Sequence, residues 1–116
     1  MSESRQHERA PIRLQLNYRD ATGGNFLFEH ATNISNGGIF IETKHPLPKG
    51  ASMVIRFQPP GSEDELEVQG EVMWVNPWVE GGDNPNPGMG IRFEGLSDGD
   101  RSIIQSIVKA IAILPG

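Results

Sequence analysis

Apolar and polar residues alternate along most of the chain up to residue 94. From Ile12 to Tyr18 every second side chain is apolar, and the positions between them are arginine, glutamine and asparagine. A period of two is typical of a strand with one buried face. The pattern returns repeatedly between turns rich in Gly, Pro, Asn and Asp. Six or seven short strands separated in this way predict a mainly β fold, a small antiparallel barrel over residues 12–94.

The aromatic side chains of these strands alternate with polar ones. We therefore expect five of them to point into the core: Phe26, Phe28, Phe57, Trp74 and Phe93. The strand that begins near Leu66 has the clearest alternation, and Gly70 interrupts its apolar row. A glycine inside a strand predicts a bulge or a close approach of the backbone.

The hydrophobic period changes after residue 96. Ser97 and Asp100 form an S-x-x-D sequence typical of a helix start. Apolar residues then follow at spacings of three and four: Ile103, Ile104, Ile107, Val108 and Ile111. These features predict one C-terminal α-helix over residues 97–114. Its polar face has few basic residues, unlike a membrane-surface helix, so we expect the helix to cover the core of the barrel, with a subunit interface as the alternative.

Composition and charge narrow the class of protein. The chain has 116 residues, no cysteine, and 14 glycines and 9 prolines, which fits a single turn-rich domain spanning residues 1–116. The formal charge is −5, which argues against DNA or RNA as a partner. Residues 1–19 contain four arginines and two glutamates, a balance of 4 − 2 = +2. We therefore expect a flexible, arginine-bearing arm at residues 1–11 on an acidic body.

Other function classes leave no trace in the sequence. No apolar run is long enough for a membrane span, and the N-terminus does not resemble a secretory signal. We expect a cytoplasmic protein without membrane insertion, either a monomer or a weak dimer.

The three histidines lie in separate segments, and no nucleophile elbow or phosphate-binding loop is present. The sequence therefore predicts no enzyme, no metal site and no cofactor.

Two short motifs remain. Arg5 and Arg9 form an R-x-x-x-R pair before the first strand, and Asn33, Ser35 and Gly38 form an N-x-S-x-x-G turn between two strands. By itself the turn is explained by the ordinary preference of Asn, Ser and Gly for turns. Together, in this order and with Asn33 24 positions after Arg9, the motifs make the chain resemble the PilZ domain family of bacterial cyclic di-GMP receptors.

The resemblance extends from the arm through a six-stranded antiparallel barrel to the C-terminal helix. It implies a cyclic di-GMP site in which the two arginines contact guanine or phosphate, the Asn and Ser side chains hydrogen-bond a guanine, and the glycines allow close approach. The implied ligand residues are Arg5, Arg9, Asn33, Ser35, Gly37 and Gly38. Arginine suits this ligand because it binds the O6/N7 edge of guanine bidentately.

Two functions follow from the resemblance. The first is a stand-alone receptor that binds cyclic di-GMP and relays the signal to an unidentified protein partner. The second is a PilZ-like interaction module that ignores the nucleotide and acts in motility or polarity assemblies. A nucleic-acid-binding barrel is disfavoured by the charge. The Ile-rich helix and Trp78, in a Pro/Gly-rich loop, are the candidate partner surfaces.

Overall fold

The structure, a computed structural model, describes residues 10–59, 62–82 and 86–112, and the side chains of these residues except 10–13 and 111–112. It contains six strands and one helix: β1 (Ala10–Asp20), β2 (Leu27–Ile34), β3 (Gly38–Glu42), β4 (Ser52–Phe57), β5 (Leu66–Asn76), β6 (Gly88–Glu94) and α1 (Asp98–Ala112). The alternation predicted a first strand that begins at Ile12, and β1 begins two residues earlier, at Ala10.

The six strands form a closed barrel in the order β1-β2-β3-β6-β5-β4. Every neighbouring pair is antiparallel, and β1 closes the barrel by pairing Asn17–Asp20 with Met53–Arg56 of β4. The predicted six-stranded antiparallel barrel with one C-terminal helix is therefore confirmed. The predicted arm lies almost entirely outside the described residues.

The core fills the barrel and continues under α1. Ile104, Ile107 and Val108 of the helix belong to the same buried cluster as the inward rows of the strands. The hydroxyl of Ser97 accepts a hydrogen bond of 3.0 Å from the backbone N–H of Asp100, which is N-cap geometry. The prediction that the helix packs on the barrel's own core is confirmed. No helix in the described part of the chain is long and apolar enough to cross a membrane.

Trp74 was predicted to lie in the core, and this is wrong, because 47% of its surface is exposed. The ladder between β5 and β6 shifts register between Val72 and Trp74. The extra residue reverses which side chains face inward. As a result Val75, not Trp74, packs against the core.

Phe28 is also outside the core, with 57% of its surface exposed, and the predicted core residue Phe26 is only half-buried and lies outside it too. Phe57 and Phe93 are buried as predicted. On β2 the side chains that face inward are Glu29 and Ala31, the partners of Leu16 and Leu14 on β1. The hydroxyl of Thr43 donates a hydrogen bond of 2.9 Å to Glu29 Oε2. This polar contact occupies the inner side of β2 and leaves Phe28 on the outer side.

Gly70 interrupts the apolar row of β5 at a point where β6 lies close to its backbone. A Cβ atom at Gly70 would lie 2.5 Å from Ile91 Cγ2 and 3.1 Å from the carbonyl oxygen of Arg92. The expectation of a close approach is correct. The bulge itself lies further along β5, beyond Val72.

Candidate functional site

The turn between β2 and β3 is closed by Ser35 and Gly38. The N–H of Ser35 donates to the carbonyl of Gly38 at 2.8 Å, and the N–H of Gly38 donates back to Ser35 Oγ at 3.2 Å. A hydroxyl that bonds the nearby backbone is a common way to fix a turn. Ser35 therefore has a structural role in this turn, and its contact with a ligand stays a prediction.

The two glycines of the turn differ in their surroundings. A Cβ atom at Gly38 would clash with the carbonyl oxygen of Ile91, whereas one at Gly37 would meet nothing within 4 Å. Neither glycine has a positive φ. The carbonyl of Gly37 accepts a hydrogen bond of 2.9 Å from the N–H of Phe93, which ties the turn to β6. Gly38 thus allows β3 and β6 to approach, and the contact of either glycine with a ligand stays a prediction.

Asn33 has an unusual side chain. It lies on β2 opposite Pro11 of β1 and Phe40 of β3. Its Oδ1 atom is buried and, alone among buried side-chain polar atoms of the described residues, has no hydrogen-bond partner. A buried acceptor without a donor costs about 1–3 kcal/mol. A buried acceptor without a partner needs an explanation. One explanation is a hydrogen-bond donor from outside the described residues.

Next to Asn33 lies a pair of stacked aromatic rings. Phe40 and Trp74 have ring centroids 5.3 Å apart and planes inclined by 22°. Both are cross-strand partners of Gly90, on β3 and β5 respectively. Because Gly90 has no side chain, the two rings can meet above β6. A Cβ atom there would clash with the Trp74 indole, and one at Gly88 would lie 2.6 Å from the Phe40 ring.

These residues line a shallow depression of about 340 Å³ on the outer face of the barrel. Asn33 forms part of its wall together with Thr32, Phe40, Trp74, Asn76 and Asn86. None of these lining residues is charged. The depression therefore combines an exposed indole surface with amide groups, the combination that suits a nucleobase.

A larger cavity of about 450 Å³ lies at the opposite end of β3 from the turn. Two glutamates, Glu29 and Glu42, line it against one lysine, Lys44, so the excess of negative charge disfavours an anionic nucleotide. Trp78 also lines this cavity, and the ammonium group of Lys44 lies 5.0 Å from the centre of its ring. We place the candidate nucleotide site at the neutral depression for this reason.

Arg5 and Arg9, the arginines of the R-x-x-x-R motif, lie outside the described residues. The described chain begins at Ala10, directly after Arg9, and Ala10 pairs with Ile34 of β2. Ile34 is the neighbour of Asn33 in the sequence. The structure thus brings Asn33, Ser35, Gly37 and Gly38 together at one end of β2, next to the first residue of β1.

The described residues contain no group of three or more His, Asp or Glu side chains that could hold a metal ion. A family model for the PilZ domain matches residues 3–110 of the chain. The chain belongs to the PilZ domain family. PilZ domains are regulatory receptor and adaptor domains rather than enzymes.

Solved PilZ structures share this fold at low sequence identity. The PilZ domain of YcgR from Escherichia coli with c-di-GMP is 19% identical, with a TM-score of 0.69 over 95% of this chain and 92% of that one. The PilZ domain of CeSA from a cellulose-synthesizing bacterium is 15% identical, with a TM-score of 0.66 over 90% and 97% of the two chains. No curated protein is similar enough in sequence to count as a relative.

The Bacillus subtilis inhibitor of motility MotI/DgrA has a TM-score of 0.69 and 17% identity over 94% of this chain. This chain spans about half of that protein, since the match covers 52% of it. At these identities the likeness supports the fold alone.

Sequence reasoning missed the aromatic part of the candidate site. Trp74 was assigned to the core because its apolar neighbours Val68 and Val72 have the same parity. The signal that identifies it is on another strand, in the Gly88-Met89-Gly90 segment. Two glycines on the same face of a strand leave room for large rings from both neighbouring strands.

Proposed function

We propose that this PilZ domain binds cyclic di-GMP on the outer face of the barrel, with a guanine in the depression beside Asn33 and Trp74. The observation that carries the proposal is the buried Asn33 Oδ1 without a donor, next to an exposed indole. The proposed ligand contacts from the sequence are Arg5, Arg9, Asn33, Ser35, Gly37 and Gly38; Trp74 joins them from the structure.

Guanine offers the hydrogen-bond donor that Asn33 Oδ1 lacks. The exocyclic amino group of guanine is a donor, and the Asn33 side-chain oxygen can accept a hydrogen bond from it. The hydrogen bond that results satisfies a buried acceptor, so its contribution includes removal of a penalty of about 1–3 kcal/mol. Asn33 and the ligand are therefore matched in donor and acceptor character.

Trp74 supplies a surface for the base. The indole is supported from below by Phe40 and by the backbone at Gly90, so it does not need to reorganise when a base stacks on it. Stacking of a base on an aromatic side chain contributes about 1–3 kcal/mol. The neutral lining of the depression allows a dianion to approach without repulsion from adjacent carboxylates.

The two arginines complete the proposed site. The segment that carries Arg5 and Arg9 continues into β1 at Ala10, beside Ile34. We propose that it orders over the ligand. Ordering costs about 1–2 kcal/mol per residue, and each charge-assisted hydrogen bond contributes about 1.5–3 kcal/mol. Micromolar binding needs only about 8 kcal/mol net, which these contacts can supply.

We propose that the ligand-bound state is read by a partner protein in the cytoplasm, with no enzymatic step. The PilZ domain of YcgR is described with c-di-GMP, and MotI/DgrA as an inhibitor of motility. These descriptions support both a nucleotide ligand and a role in motility for this chain.

The test is calorimetric titration with cyclic di-GMP, with GTP and cyclic di-AMP as ligand controls. We expect saturable binding to cyclic di-GMP alone. Arg9→Ala and Trp74→Ala should each weaken it by about tenfold to a hundredfold, since each removes roughly 1.4–2.8 kcal/mol. Trp78→Ala is the matched control, because it removes the other tryptophan, which lines the larger cavity and not the depression, and it should leave the affinity unchanged.

The alternative is a PilZ-like interaction module that does not bind the nucleotide. One observation favours it: the Ser35 hydroxyl is already bonded within its own turn. Absence of heat with a folded sample would support this alternative and reject the nucleotide site. If the Trp74→Ala and Trp78→Ala variants bind cyclic di-GMP with equal affinity, the depression is not the guanine site, although the chain is still a cyclic di-GMP receptor.

A further inference from the structure

One outer face of the barrel combines arginine with exposed apolar side chains. It is formed by β4, β1 and the start of β2, and its prominent members are Arg19, Phe26, Phe28 and Arg56, which we call the Arg–Phe face. Phe28, Asn17 and Arg56 lie directly opposite one another across the two ladders. Side chains in such positions share one face of the sheet.

The side chains of this face are in contact. The Arg56 guanidinium carbon lies 4.3 Å from the centre of the Phe26 ring, and that of Arg19 lies 5.2 Å from it. The Phe28 ring meets the His30 ring edge-on with centroids 5.3 Å apart. Phe28 is largely exposed. Contact with two guanidinium groups holds the Phe26 ring at the surface, and Phe28 is held by the His30 ring.

The charge of this face is opposite to that of the chain as a whole. Among the described residues, the outward side chains of β4, β1 and β2 include no carboxylate: Ser52, Val54, Arg56, Gln15, Asn17, Arg19, Phe28 and His30. Glu29 and Asp20 belong to the inward rows. Carboxylates begin on the two neighbouring strands, where Glu67 of β5 pairs with Arg56 at 2.8 Å and Glu42 of β3 lies opposite His30.

Arg19 forms no ion pair with a carboxylate of the described residues. Its Nη1 atom donates a hydrogen bond of 3.0 Å to the carbonyl of Asp20. The Asp20 carboxylate itself accepts two hydrogen bonds from Thr22, and these bonds, with a smaller contribution from the Arg19 charge, lower its pKa. A chain with a formal charge of −5 therefore has a cationic, aromatic face. Arginine and aromatic residues are enriched where proteins bind each other.

We propose that the Arg–Phe face is the docking surface for a partner protein, and that the contact segment of this partner carries carboxylate side chains next to an apolar side chain. The carboxylates would meet Arg19 and Arg56, and the apolar side chain would pack on Phe28. The proposal rests on the proposed relay to a partner, but it does not depend on nucleotide binding.

The docking surface and the nucleotide depression are separate but share β2. Phe28 and Asn33 are five positions apart on that strand, or roughly 17 Å at about 3.4 Å per residue. A ligand at Asn33 therefore leaves Phe28 uncovered. The two sites can be tested independently, since changing Phe28 removes no proposed nucleotide contact.

The test is selection of short peptides displayed on phage against the full chain, followed by affinity measurements with the enriched peptides as synthetic probes. We expect enriched sequences with Asp or Glu beside Leu, Phe or Trp. Phe28→Ser and Arg19→Glu should each weaken these peptides by about tenfold or more. Trp78→Ser, which changes an exposed aromatic residue elsewhere, should leave their affinity unchanged.

Thermal unfolding checks that each variant is folded, and titration of Phe28→Ser with cyclic di-GMP separates the two proposals. Unchanged nucleotide affinity with lost peptide binding supports the docking surface. No nucleotide binding by any variant would reject the proposed receptor alone. Enrichment of basic peptides, no enrichment, or equal binding to Phe28→Ser would overturn the docking surface. So would a dimer of the chain that Phe28→Ser dissociates, or binding to vesicles of anionic phospholipid that Phe28→Ser abolishes.

Discussion

Replacing Gly38 by alanine puts a methyl group where the backbone of β6 already lies. The new Cβ atom would be closer than 3.0 Å to the carbonyl oxygen of Ile91 and 3.3 Å from its carbonyl carbon. The obstacle is backbone, so no side-chain rotation can relieve the clash. Gly38 pairs with Arg92 in the ladder, and β3 and β6 must separate there by about 1 Å to restore ordinary contact.

The cost follows from three contributions. Overpacking of this kind costs about 1–3 kcal/mol, and a stretched backbone hydrogen bond adds about 0.5–1.5 kcal/mol. The lower conformational entropy of alanine in the unfolded chain returns about 0.4–1 kcal/mol. The net loss in the free energy of unfolding is therefore about 2 kcal/mol, which lowers the Tm by roughly 8–12 °C for a domain of this size.

Gly37→Ala is the matched control, because its Cβ would meet nothing within 4 Å and its φ is not positive. We expect it to be neutral, or stabilising by up to about 1 kcal/mol. Urea unfolding of both variants and the parent chain measures the difference. If Gly38→Ala is as stable as Gly37→Ala, the close approach of β3 and β6 is not what requires a glycine there.

Three further results are expected. Gly90→Ala should push the Trp74 indole off its support and weaken cyclic di-GMP binding by about tenfold, roughly 1.4 kcal/mol, with an unchanged circular dichroism spectrum; unchanged affinity would contradict the stacking surface. Burial raises the pKa of the Tyr18 hydroxyl above its usual value, so its contribution to stability is complete below about pH 10 and is lost as the pH rises through the folded-state pKa. Tyr18 is the only tyrosine, so tyrosinate absorbance during alkaline titration measures this directly, and a normal titration would refute it. Ile104→Ala should cost about 2–5 kcal/mol in urea unfolding, whereas Ile103→Ala, at a side chain with 38% of its surface exposed, should cost clearly less; equal losses would contradict the packing of α1.

The barrel and the helix could be predicted from the sequence because each follows from a local period. Alternation from Ile12 indicated β1, and the S-x-x-D sequence at Ser97 indicated the start of α1. Both depend on residues close together in the chain, where side-chain direction is set by strand or helix geometry.

The aromatic part of the site could not be predicted in this way. The register shift after Val72 reverses which side chains of β5 face inward. No residue type near the shift in the sequence indicates that it occurs there. The prediction that Phe28 lies in the core was wrong for a related reason. Three consecutive apolar residues, Phe26 to Phe28, cannot all face inward on a strand. The turn at Ser35 was identified from its residue types, but the unpaired oxygen of Asn33 depends on neighbours distant in sequence.

Closure of the barrel also limits how this domain can communicate. Each of the six strands is hydrogen-bonded to a neighbour on both sides, so no strand is an open edge along its whole length to which a partner could add a strand. Recognition then passes mainly through side chains that stand outward from the sheet. Such side chains can be exchanged without breaking the ladder, and the same barrel can therefore acquire a new partner through surface substitutions while its ligand turn and core remain unchanged.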